Sequence, residues 1–106
     1  MEANWNEAAV AHNEKEHRFE LYVDGLRSML TYRRYPDWII FDHTEVPQAQ
    51  ERHGLAAKLA SAALEFARQN HLRVVPICPY IVNFLKKHPE QQDLLSAEDR
   101  EKLLSQ

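Results

Sequence analysis

Residues 38–70, WIIFDHTEVPQAQERHGLAAKLASAALEFARQN, decide the fold. The run Trp38-Ile39-Ile40-Phe41 is β-branched and aromatic, too apolar for a sheet edge, and reads as a central strand continuing to about Val46. After Gly54 the hydrophobic period changes from about two to about 3.6. Leu55, Leu59, Ala62, Ala63, Phe66 and Ala67 then share one face, with Lys58, Ser61, Glu65, Arg68 and Gln69 opposite. This spacing predicts a helix over residues 53–70 whose alanines let its axis approach a sheet closely, with Asn70 as a left-handed cap.

Upstream, Phe19, Leu21 and Val23 alternate with Glu20, Tyr22 and Asp24. Asp24-Gly25 supplies residues that tolerate positive φ in a tight hairpin turn, and Leu26 restarts the alternation. A second reversal falls at Tyr35-Pro36-Asp37. Ala9–His12 adds an earlier strand closed by the polar turn Asn13–Glu16, and residues 1–8 are expected to fray. Downstream, Leu72–Cys78 is a short apolar strand, parallel to its neighbour because it follows a crossover helix, with Pro76 marking interrupted pairing. Ile81–Lys87 gives helical turns ended by His88-Pro89, and Ser96-Ala97-Glu98-Asp99 has capping-box spacing before Leu103 and Leu104. The expected architecture is α/β (α+β): an antiparallel meander, a helix, a parallel strand and short closing helices. One domain spans residues 9–95, with a helical tail over 96–106. Such a fold serves many functions, so it decides none.

Composition narrows the choice. With 106 residues, 44% hydrophobic and 27% charged, the chain has room for one core. Thirteen Lys and Arg against 16 Asp and Glu give a net charge of -3, without the basic footprint that nucleic acid or an anionic membrane attracts. The sequence shows neither an apolar run of spanning length nor a secretory leader, and its solitary Cys78 cannot form an internal disulfide. A cytoplasmic monomer is expected.

The segments Phe41-Asp42-His43-Thr44-Glu45-Val46-Pro47, Gly54-Leu55-Ala56 and Val75-Pro76-Ile77-Cys78-Pro79-Tyr80, followed by His88-Pro89, occur in this order. Together they resemble the small GNAT-related N-acetyltransferases of the NATD1-like, or YjdJ-type, family over about His12 to Leu95. The resemblance implies a truncated GNAT fold that binds acetyl-CoA between the strand ending near Glu45 and Val46 and the strand ending near Cys78. It also implies that His43 and Cys78 form the active-site pair, that the acceptor is an amine, and that no metal takes part.

The cofactor site has its own physical reading. A helix opening just after a strand presents unpaired N–H groups and a positive dipole end to a pyrophosphate. Arg52, His53, Gly54, Leu55, Ala56 and Ala57 form that cradle. Against the superfamily pattern Q/R-x-x-G-x-G/A, Glu51 stands where Gln or Arg is usual, and an acid there repels phosphate unless it turns outward.

From spacing alone, His43 is either a hydrogen-bonded core side chain or the base that deprotonates an incoming ammonium, with Glu45 two residues on as substitute base. Cys78 is either a small buried hydrophobe or a thiol activated near a helix start. Leu85 falls in the slot where many GNAT enzymes place the tyrosine that protonates the departing thiolate. That leaves Cys78 as acid or acyl carrier and Tyr80 in reserve. Two other functions stay open: a CoA-binding or interaction module with little turnover, and a Cys78–His43 thiol hydrolase for which no orienting third residue is visible.

Overall fold

The chain is described by a computed structural model over Trp5 and residues 7–105; the rest of the segment expected to fray lies outside the described residues. Four strands, β1 (Ala11–Asn13), β2 (Arg18–Val23), β3 (Leu26–Arg34) and β4 (Trp38–Glu45), precede helix α1 (Leu55–Gln69). After α1 come β5 (Arg73–Pro76), α2 (Pro79–Lys87) and α3 (Ala97–Leu104). Short 3-10 turns at Gln48–Gln50 and Pro89–Leu94 complete the order and were not legible in the sequence. The sheet runs β1-β2-β3-β4-β5, antiparallel throughout except for the parallel β4–β5 pair.

Local chemistry places most boundaries. Asp24 (φ 52) and Gly25 (φ 78) are both left-handed, as a two-residue hairpin demands. The first strand sits later than expected, at Ala11–Asn13, because the left-handed residue that closes its turn is His17 (φ 55). Asn70 is not the left-handed cap: its φ is -100 and its side chain bonds the Phe66 carbonyl at 2.9 Å. His71 takes that conformation (φ 55), so Leu72 N–H reaches the Ala67 carbonyl at 2.9 Å and His71 N–H the Arg68 carbonyl at 3.2 Å, a Schellman closure. Ser96 caps α3 as its spacing implies, its Oγ accepting from Asp99 N–H at 3.1 Å.

The core lies between α1 and one face of the sheet, where Phe19, Leu21, Leu30, Tyr32, Ile39 and Phe41 are buried. The helix contributes Leu55, Leu59, Ala60, Ala63, Leu64 and Ala67. Ala60 and Leu64, rather than Ala62 and Phe66, complete the buried stripe. Phe66 instead rims the core, packed edge-on against His12 at 4.5 Å and beneath the Arg34 guanidinium at 5.3 Å.

A bulge in β4 decides what reaches the other face. Tyr32 pairs with Phe41 but Thr31 pairs with His43, so Asp42 is an extra residue. Thr31 Oγ1 donates to its carboxylate at 2.5 Å and Arg33 lies 3.5 Å away, which holds the bulge on the open face. The inserted residue swaps the sides of everything beyond it.

Candidate active site

Beyond the bulge, Thr44 pairs with Leu30, which is fully buried, and therefore points into the α1 side of the sheet. His43 pairs with Thr31 and Glu45 with Met29, both on the open face. There His43 Nε2 stands 3.6 Å from the Glu45 carboxylate, each side chain 60% exposed. His43 is therefore not a core residue, and its companionship with Glu45 follows as their spacing implies. Cys78 takes the opposite side: it is 3% exposed and its Sγ lies 3.2 Å from Thr44 Oγ1. The structure brings Cys78 to Thr44, not to His43, and no thiol–imidazole dyad forms. This removes the geometric basis of a hydrolase.

Just ahead of that contact β4 and β5 separate. Their pairing ends at Phe41 and Pro76, and the Ile77 and Cys78 N–H groups both turn to one acceptor, the Phe41 carbonyl, at 3.3 and 3.0 Å. Pro76, which lacks an N–H, is where interruption was expected.

A cleft of about 460 Å³ runs from the end of β4 to the start of α1. Glu45, Val46, Arg52, Gly54, Leu55, Ala56 and Ala57 line it, seven of the eight residues expected to hold the cofactor. The eighth, His53, turns aside and stacks on Trp5 with ring centroids 3.8 Å apart. Arg52 (φ 70) and Gly54 (φ 79) are both left-handed and fold the chain tightly ahead of the helix. No side chain caps α1 and no acidic residue occupies its first turn, so the Leu55, Ala56 and Ala57 N–H groups are presented outward; the first intrahelical donor is Lys58, to the Gly54 carbonyl at 3.1 Å. A Cβ built on Gly54 meets nothing within 4 Å. The residues present fit a pyrophosphate: open space, free donors and a positive helix end.

Glu51, placed in the phosphate loop from the sequence, lines the cleft as well, and three further lining residues were not assigned to it: Thr44, Gln50 and Tyr80. Tyr80 stood only in reserve, yet it faces the cleft, and burial raises its phenol pKa so that the proton is held more tightly. Leu85, in the usual tyrosine slot, is fully buried. A larger hollow of about 780 Å³ lies at the opposite end of the sheet, but its Arg68 and Asp93 satisfy each other through two bonds of 2.8 and 2.9 Å.

A family model described as GCN5-related N-acetyl-transferase matches residues 18–94, from β2 to the 3-10 turn before α3. The chain belongs to the GCN5-related N-acetyl-transferase (GNAT) family. Its relatives include Protein NATD1 of Bos taurus, 36% identical over 88 residues that cover 80% of this chain and 78% of that protein. Protein NATD1 of Gallus gallus is 35% identical and that of Homo sapiens 34%, each over 88 residues and 80% of this chain, covering 80% and 78% of their own lengths. The five-stranded sheet with its single parallel pair is a GNAT-like arrangement, and the cleft lies at the β4–α1 junction, where the strand-to-helix reading put the phosphate cradle. Among the described residues no grouping of His, Cys, Asp or Glu suits a metal ion, and no helix is long and apolar enough to cross a membrane.

Proposed function

We propose that this GNAT protein is an acyl-CoA-dependent N-acyltransferase that moves an acetyl group from acetyl-CoA to a primary amine, on a lysine side chain or a small molecule. In this reading it works in the cytoplasm as a monomer, without metal, nucleic acid or membrane. The observation that carries it is the cleft that joins the end of β4 to an uncapped helix N-terminus and has a tyrosine in its lining. The N–H groups of Leu55, Ala56 and Ala57 hold the pyrophosphate, with Arg52 beside them. The chain at Glu45 and Val46 takes the pantetheine arm.

The amine arrives from the open face, where His43, oriented by Glu45, accepts a proton from the ammonium. The freed amine nitrogen forms a bond to the thioester carbonyl carbon, the C–S bond breaks, the departing thiolate takes a proton, and the new amide nitrogen loses its extra proton through solvent, which reloads the group that protonated the thiolate. Tyr80 supplies that proton, because it lines the cleft and a phenol, here with its pKa raised further by burial, carries its proton at neutral pH. Cys78, bonded to Thr44 where β4 and β5 part, supports the reacting centre from behind.

Turnover with an amine panel and acetyl-CoA affinity, both measured on Tyr80→Phe and Cys78→Ala, test this assignment. Tyr80→Phe is expected to lose roughly 10²-fold in turnover at unchanged affinity, the signature of a general acid, and Cys78→Ala roughly tenfold. A larger loss in Cys78→Ala than in Tyr80→Phe returns the acid role to the thiol. The presence of Glu51 in the cleft favours a second reading, a CoA-binding module with little turnover. Affinity without transfer to any amine establishes that one instead.

A further inference from the structure

The side chain of Gln50 is 3% exposed, yet only half of its amide is used. Its Nε2 donates to the Val23 carbonyl at 2.7 Å, across from the β2–β3 hairpin. A carbonyl accepts only from a donor, so this bond fixes which end of the amide is which. The Oε1 atom is left buried with no partner. Unpaired buried acceptors are uncommon in folded proteins and cost free energy unless something supplies a donor. Gln50 is also one of the residues lining the cleft at the end of β4, beside Glu45 and Val46. The cleft's other lining residues include Thr44, Arg52 and Tyr80, all able to donate, but none of them bonds Oε1. A ligand that fills the cleft is a source of the missing hydrogen.

We infer that Gln50 is a recognition residue for the acyl donor, its Oε1 accepting a hydrogen bond from an amide N–H of the pantetheine arm. The inference rests on the acyl-CoA reading of the cleft and goes beyond it, because the helix N-terminus recognises only the phosphate end of that ligand. Gln50 reads the other end. Its amide is held ready by the Val23 carbonyl, so little side-chain freedom is lost when the ligand binds. An acceptor here also discriminates: a phosphate ligand without the arm leaves Oε1 unpaired and gains nothing from it.

The test compares acetyl-CoA with ADP, which carries a diphosphate and lacks the arm, by calorimetry on the wild-type protein and on Gln50→Met. The substitution is expected to weaken acetyl-CoA by roughly tenfold and leave ADP unchanged. Equal loss for both ligands, or no loss for either, overturns the inference. Failure of the wild-type protein to bind acetyl-CoA at all removes the functional reading itself, a different result from loss confined to the variant. A second measurement needs no variant: the side-chain amide resonance of Gln50 should shift on titration with pantetheine and stay in place with ADP. The reverse pattern overturns the inference even if Gln50→Met does not fold.

Discussion

At the scale of single residues, the cleft combines a favourable and an unfavourable electrostatic choice within four positions. Gly54 holds φ 79 with nothing within 4 Å of where a Cβ would sit, so its constraint is backbone conformation and the space kept clear in front of the helix. Glu51 lines the same cleft and brings a negative charge toward a site built for phosphate. The two residues therefore predict opposite outcomes. Gly54→Val should weaken acetyl-CoA binding by roughly tenfold or more, by straining a left-handed position and displacing a set of charge-assisted hydrogen bonds. Glu51→Gln should strengthen it several-fold, with a gain that shrinks as salt is added because the repulsion it removes is screened. Dissociation constants at two ionic strengths check both, and equal affinities in wild type and Glu51→Gln would show that the carboxylate turns away from the ligand.

At the scale of elements, the edge strand β1 is held by a three-residue ladder to β2 and by an aromatic cluster around His12. The His12 ring stacks on Phe19 at 4.2 Å, meets Phe66 edge-on, and bonds the Tyr32 hydroxyl through Nε2 at 2.7 Å. Burial lowers the His12 pKa, against an opposing pull from Glu14. A histidine with a depressed folded pKa gives stability that is present above its unfolded value of about 6.5 and is lost as pH falls below it, because the unfolded chain binds the proton more readily. Acidification from pH 7 toward 5 should therefore speed amide exchange in β1 before it does so in β3, and His12→Phe should flatten that dependence. The sequence disclosed this level unevenly. The Asp24-Gly25 turn and the alanine-rich helix were legible because each rests on a local rule. The bulge at Asp42 was not, since it is fixed by Thr31 and Arg33 on the neighbouring strand, and without it period two puts His43 on the buried side with Phe41. In the candidate site, the placement of Arg52 and Gly54–Ala57 was readable from the strand-to-helix junction and that of His53 was not, whereas Tyr80 and Gln50 enter the cleft only through tertiary packing.

At the scale of the whole molecule, extents of 47 × 30 × 19 Å and a radius of gyration of 13.9 Å describe a flat body, slightly wider than the ~13 Å expected for a compact chain of this length. The flatness follows from a single sheet whose main core lies on one face, under α1. That helix ties the molecule together. Its N-terminus forms the cleft, its apolar stripe covers β2, β3 and β4, and Arg68 near its C-terminus bonds Asp93 in the segment leading to α3. A ligand seated at the N-terminus of α1 therefore contacts the element on which the core depends, and its binding energy should appear as global stability. At acetyl-CoA a hundredfold above its dissociation constant, linkage adds about 2.7 kcal/mol, which for a domain of this size raises Tm by roughly 10 °C. The gain should grow with the logarithm of ligand concentration. Hydrogen exchange separates a global effect from a local one: amides of β2 and β3, which do not line the cleft but pack under α1, should slow along with Leu55, Ala56 and Ala57. The edge strand β1, opening on its own, should be unaffected. Protection confined to the first turn of α1 would show that this turn closes over the ligand by itself and that the helix does not carry the coupling.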